Sequence, residues 1–229
     1  MTESLVALLQ FADGLFPAGG FAHSFGLETY VQDGAVTDGA GLQAFVVAHL
    51  EGSAGPADAV ATATSVGLAR AGDLAGWVAL DARLEAMKVV PETRAASRQM
   101  GRQTLRAAGA AAVDDAFLAE LARAVDDGLA AGHHAAVFGA ALGRADAEPE
   151  AAAAAYLYST AVLLVGAGLR LMALGQLDGQ RVLAAMRPRI ARLARAAAER
   201  GPDDMWSFNP GLELAGIRHA SLERRLFRS

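Results

Sequence analysis

An all-α, single-domain fold is predicted by three properties of this 229-residue chain. Apolar residues recur at spacings of three and four over most of its length, no stretch alternates apolar with polar residues between turn signals, and alanine is abundant throughout. A chain of this size can bury a full core as one domain. We expect a bundle of about ten helices. Residues 1–200 form the all-helical domain, and 201–229 a linker and C-terminal docking segment.

The elements follow in order. Leu42, Phe45, Val46, His49 and Leu50 share one helix face, and Thr37 or Asp38 caps its start. Gly55-Pro56 is expected to end that helix and open the next. Trp77, Leu80, Leu84 and Met87 mark another face. Pro91-Glu92 opens a helix that runs through Arg106, and Asp114-Asp115 caps one bearing Phe117, Leu118, Leu121 and Val125. Gly132 opens a helix that runs to the region of Gly143. Pro149 starts a long central helix that Gly175 ends. Gly179 to Arg200 is an arginine-rich helix in which Pro188 is expected to cause a kink or break. Gly201 to Pro210 is a linker carrying Trp206 and Phe208, and a final amphipathic helix starts near Gly211.

Composition narrows the function. The net charge is −5, which disfavours general polyanion binding. Lys88 is the single lysine among 20 basic residues, and the absence of cysteine removes disulfides and thiolate metal sites. Residues 1–13 lack a basic leader and carry Glu3 and Asp13, so a cytoplasmic protein is expected. Ala151 to Leu169 is uncharged and long enough to span a bilayer. Its alanine content, with Tyr156, Tyr158, Ser159 and Thr160 inside it, favours a central buried helix.

The candidate chemistry is sparse. Pro17, Gly19 and Gly20 break an apolar run of Phe11, Leu15, Phe16, Phe21 and Phe25 into a sharp corner. The corner lacks the Gly-Lys-Ser/Thr ending of a phosphate loop. His49 sits on an apolar stripe, His133 and His134 diverge by about 100° on a helix, and His219 with Glu223 offers only two metal ligands. The paired acids at 114–115, 126–127 and 203–204 fall at helix ends, where capping accounts for them. There is no Gly-x-Ser-x-Gly elbow. No catalytic residue, resident metal or cofactor is expected. Arg94, Arg98, Arg102 and Arg106 form a slowly drifting row whose plain explanation is a solvated face. Arg170, closing the uncharged stretch beside Gly166 and Gly168, needs a partner to offset desolvation, and a subunit contact would provide one.

The tail is the most distinctive segment. Leu226-Phe227 lies among Arg224, Arg225 and Arg228, the make-up of a docking peptide with an apolar anchor and guanidinium forks. The plain alternative is a last helix packed on its own core. Two other classes stay open: an all-α enzyme with a cofactor pocket under the phenylalanine corner, and an arginine-rich helical DNA regulator.

Several blocks, in order, resemble the urease accessory protein F family (UreF). They are Leu8-Leu9-Gln10 with Phe16 to Phe21 and Ser24 to Glu28; Arg94, Ser97 and Met100-Gly101-Arg102; His133 with Val137-Phe138-Gly139; Tyr158-Ser159, Arg170 and Leu174-Gly175-Gln176 with Gly179-Gln180-Arg181; and the tail, Pro210, Leu212, Ala215, Arg218, His219, Leu222 and Arg225 to Ser229. Ala173, Glu213, Gly216 and Ala220 depart from the usual proline, aspartate, serine and acid. The resemblance implies an all-helical, dimeric, non-catalytic scaffold for nickel insertion into apo-urease. Such a scaffold binds the accessory protein named D or H and recruits a GTPase accessory protein, G. Nickel crosses the assembly as cargo, and GTP belongs to the partner. By the same matching, Pro210, Leu212, Arg218, His219, Leu226, Phe227 and Arg228 contact the D/H partner. Tyr158, Arg170, Gly175, Gln176 and Gln180 belong to the dimer or GTPase side, and Pro17, Gly19, Gly20 and Glu28 form the structural corner.

Overall fold

The structure is a computed structural model that describes residues 2–112 and 114–229. Among the described residues it is all α-helical, in one domain. The helices are α1 (Thr2–Ala12), α2 (Leu27–Gln32), α3 (Gly39–His49), α4 (Val60–Ala71), α5 (Leu74–Met87), α6 (Pro91–Ala111), α7 (Ala116–Asp126), α8 (His134–Arg144), α9 (Pro149–Leu171), α10 (Gln176–Ala198) and α11 (Pro210–His219). Local chemistry sets many boundaries. Asp38, Asp73 and Asp115 each accept a hydrogen bond from a first-turn amide, and proline opens α6, α9 and α11.

Three expected boundaries are corrected. Gly55-Pro56 does not separate two helices, because residues Leu50–Ala59 form a π-helical run that carries α3 directly into α4. The wider turn accommodates the proline, which cannot donate a backbone hydrogen bond. Gly55 is needed there for close approach: a Cβ would lie 2.7 Å from the Leu50 carbonyl oxygen and 3.0 Å from Leu193 Cδ2 on α10. Pro188 does not break α10, which runs unbroken across it. Val182, Leu183, Met186, Ile190 and Ala194 hold the helix to the core on both sides of the proline. The central helix α9 ends at Leu171, and Gly175 instead stands at the start of α10.

Two apolar clusters make the core. The first joins α3, the π run, α9 and α10, with Leu27, Leu212 and Phe227 added from the two ends of the chain. The second joins α4, α5, α7 and α8 with Phe11, Leu105 and Ala108. Helix α9 serves both, giving Leu157, Ala161 and Leu164 to the first and Ala152 and Tyr156 to the second. This explains its unbroken apolar sequence. It is long and apolar enough to cross a membrane, and it packs at the centre of the bundle.

Helices α4 and α8 meet along a seam of small residues. At Gly139 a Cβ would run into the Thr62 carbonyl, and at Gly143 it would lie 2.7 Å from the Val66 carbonyl oxygen. Thr62 and Ser65 donate their hydroxyls to the Ala135 and Ala136 carbonyls (3.1 and 2.6 Å), and Trp77 Nε1 also donates to Ala136 (3.1 Å). The loop before α8 is held by buried Asp81, which accepts the amides of Ala131, Gly132 and His133 at 2.7, 3.0 and 2.7 Å. Gly101 on α6 fits under this loop, where any side chain would strike Gly132. Gly101 and Gly139, from the second and third sequence blocks, are therefore packing devices.

Candidate functional site

The corner at residues 13–26 and the tail form one site. Gly19, Phe25 and Gly26 have φ of 79°, 51° and 88°. At Gly26 a Cβ would also press on α11, 3.3 Å from Ala215 Cβ. Phe25 accepts a strained left-handed conformation with a side chain in place. The amides of Ser24 and Phe25 both donate to the Ser229 carbonyl oxygen (2.6 and 3.1 Å), as does the Ser24 hydroxyl (2.9 Å). His23 Nδ1 meets Ser229 Oγ at 2.9 Å. Burial, with the Arg228 charge second, lowers the His23 pKa to about 4.

Glu28, at the start of α2, is the hub. Its carboxylate is buried and accepts the amides of Leu226 (2.7 Å) and Phe227 (3.0 Å). His219 Nε2 lies 3.0 Å from the same carboxylate, and its Nδ1 lies 2.7 Å from Glu92. The ring thus bridges two acids, one at the start of α2 and one at the start of α6. Arg225 bonds the other oxygen of Glu92 at 3.0 Å. Arg218 makes a fork to Asp33 (2.7 and 3.0 Å), and Thr29 donates to the Ala215 carbonyl (3.0 Å). The Phe227 ring is buried with the Arg170 guanidinium 4.3 Å from its centroid. The other ring at that guanidinium is Phe21, at 3.7 Å, and Arg170 also donates to the Phe21 carbonyl (2.8 Å). Burial lowers the Arg170 pKa from its usual value.

The expected partner-binding residues thus divide. Leu212, His219 and Phe227 face the protein's own interior, whereas Pro210, Arg218, Leu226 and Arg228 are exposed. His219, weighed with Glu223 as a two-ligand pair, instead has Glu28 and Glu92 at its two ring nitrogens. Among the described residues no three His, Asp or Glu side chains are arranged to hold a metal. Of the second set, Tyr158 lies three helical turns, about 18 Å, from Arg170 on α9. Gly175, Gln176 and Gln180 are exposed at the start of α10. Pro17 is exposed, and Gly20 lies against Leu163. The arginine row on α6 is only partly solvated, since Arg94 and Arg98 both pair with Glu85, which also meets His133 Nε2 at 2.8 Å.

Sequence reasoning missed Glu92 and the role of Glu28 as a tail anchor. It also missed a buried pair, Lys88 Nζ to Asp58 at 2.7 Å, in a cavity of about 100 Å³ bordered by His49, His134 and Tyr156. Burial lowers both histidines to about 4, the neighbouring Asp58 opposing and Lys88 assisting. It also raises Tyr156 well above its usual value, with Asp58 adding to the rise. The single lysine of the chain was the available signal.

The UreF family model matches residues 36–187. A urease accessory protein UreF from Rhizobium leguminosarum bv. viciae is 36% identical, covering 99% of this chain and 97% of its own length. Those of Paenarthrobacter aurescens (34%, covering 98% and 97%) and Bacillus sp. strain TB-90 (31%, covering 98% and 99%) are also similar from end to end. The chain belongs to the UreF family. The family model stops before α11, but the relatives align through nearly the whole chain. In this UreF-family chain, the corner and tail blocks meet in space although they lie at opposite ends of the sequence.

Proposed function

We propose that this UreF-family chain is a non-catalytic dimeric scaffold in the cytoplasm. It binds the D/H accessory protein through its C-terminal segment, recruits the nickel-carrying GTPase and so serves nickel insertion into apo-urease. One observation carries this reading: the segment is latched on one side and apolar on the other. Leu212, His219 and Phe227 are held inside, while Leu214, Ile217 and Leu226 are 60%, 57% and 63% exposed, and Phe208 and Trp206 are 73% and 47% exposed. Leu214 and Ile217 are one helical turn apart on α11 and share a face. Such a concentration of uncovered apolar side chains suits a protein contact. The exposed arginines at 224, 225 and 228 add forks for acids or carbonyls at its edge.

Co-purification with the D/H accessory protein encoded beside the same urease tests the reading. The Ile217→Asp and Leu226→Asp double variant is expected to keep its helical circular dichroism and lose the partner. Phe227→Ala is expected to do the same by releasing the latch. Unchanged partner recovery with the folded double variant would remove the C-terminal face from the interface.

A further inference from the structure

A pocket of about 480 Å³ lies beneath the 13–21 corner, bounded by α9 and the start of α8. That volume falls within the range of small-molecule sites, roughly 300–1,000 Å³. Its walls are mainly apolar, with Phe11, Phe16, Phe21, Phe138, Val162 and Leu163 among them. The polar side chains are few and can be accounted for. Ser159 and Thr160 both donate to the Tyr156 carbonyl (2.9 Å each), and exposed Asp13 accepts the Leu15 amide (2.8 Å). Two groups remain. Arg170 has no acidic partner among the described residues, its guanidinium being bonded to backbone carbonyls and stacked on rings. His134 is more than nine-tenths buried, and its Nε2 has no hydrogen-bond partner.

We propose that this pocket binds a small monoanionic amphiphile of the medium-chain carboxylate class, its chain among the phenylalanines and its head group at Arg170. An apolar pocket of this size gains contacts when an apolar chain fills it. The unpaired guanidinium at the rim selects the charge, because a carboxylate matches its planar fork. Gly14 and Gly166 keep the space open: a Cβ at Gly166 would meet no atom within 4 Å. The pocket shares Arg170 with the Phe227 latch but not the outward face of α11, and its test needs no partner protein.

Calorimetric titration of the full-length protein with octanoate, below its micellar range at neutral pH, tests the proposal. One saturable site per chain is expected. 1-Octanol, of the same length without the charge, is expected to bind roughly tenfold more weakly, and Arg170→Gln should remove that difference. Gly166→Phe places a ring in the same space and should abolish binding of both probes. If that variant loses its helical signal, Val162→Phe fills the pocket from the preceding turn. The proposal is overturned by the absence of saturable binding, by octanol binding as tightly as octanoate, or by undiminished octanoate affinity in a folded, pocket-filled variant.

Discussion

The α4–α8 seam and the tail clasp are both buried, but they are held by opposite means. In the seam, Gly139 and Gly143 bring two backbones together, and the polar contacts among the described residues are donors on carbonyls: neutral hydroxyl and indole groups along it, and the Arg144 guanidinium at its end (3.3 Å from the Ala69 carbonyl oxygen). In the clasp, the anchoring groups are ionisable: Glu28 accepts the amides of Leu226 and Phe227, and His219, Glu92 and Arg225 continue the network from it. A seam of glycine and alanine has no substitute partner, because its stability lies in contact geometry. Every bond of the clasp is of a kind that another polypeptide could replace, and only Leu27, Leu212 and Phe227 from this region enter the first cluster and none the second. The comparison teaches that this molecule separates the part that must stay folded from the part that can be exchanged.

The largest expected effect tests the seam. Gly139→Leu drives a side chain into the Thr62 carbonyl and Ser65 Cβ, where backbone rather than a flexible side chain must move. A loss of about 3 kcal/mol or more is expected in urea denaturation, at the severe end for overpacking. A cost below about 1 kcal/mol would show that the seam can open, and the contrast with the clasp would fail.

Acid should act on the clasp and on the interior cavity over one and the same pH window. His23 belongs to the clasp, while His49 and His134 line the interior cavity, and burial holds all three at about 4 against an ordinary 6.5. A base whose pKa is lowered on folding is neutral in both states above the higher value. As pH falls below about 6.5 the unfolded chain takes up the proton first, so stability is full above that point and declines toward pH 4. Each such histidine contributes a slope of about 1.4 kcal/mol per pH unit across that window. His134→Phe is expected to flatten the pH dependence of global stability, and His23→Gln that of tail-amide exchange alone. Global stability that stayed level from pH 6.5 to 4.5 in the parent protein would contradict the burial of these rings in neutral form.

The two regions also differ in how far the sequence disclosed them. Helix faces such as Leu42-Phe45-Val46 and Trp77-Leu80-Leu84 were legible because periodicity is local, and each proved buried. The capping role of Asp115 and the proline starts of α6 and α9 were legible for the same reason. Gly55-Pro56 misled because a π-helical run and the approach of Leu193, both tertiary matters, overrode the local signal. The clasp was half visible. The tail blocks marked Phe227 and His219, but the partners of Glu28 lie 191 to 199 residues away, and nothing local links them. Asp58 and Glu92 were silent for the same reason: a buried acid looks like any other acid until its surroundings are known.

The smallest effect on global stability should come from Glu28→Gln, and it bears most directly on the contrast. The substitution keeps size and shape but replaces one acceptor oxygen with an NH₂ donor. That donor faces the amides of Leu226 and Phe227 and the His219 ring, which are themselves donors toward the native carboxylate. One or two charge-assisted bonds are lost, about 1.5–3 kcal/mol apiece at most. If the clasp is separable, this loss appears as exchange of the Leu226 and Phe227 amides accelerated roughly tenfold or more, because opening the tail does not require opening the bundle. The global urea midpoint should then move far less than in Gly139→Leu. Proportional acceleration of seam and tail amides would mean that the two regions open together. Partner exchange at the tail would then require melting the core, and the separation of the fixed part from the replaceable part would be lost.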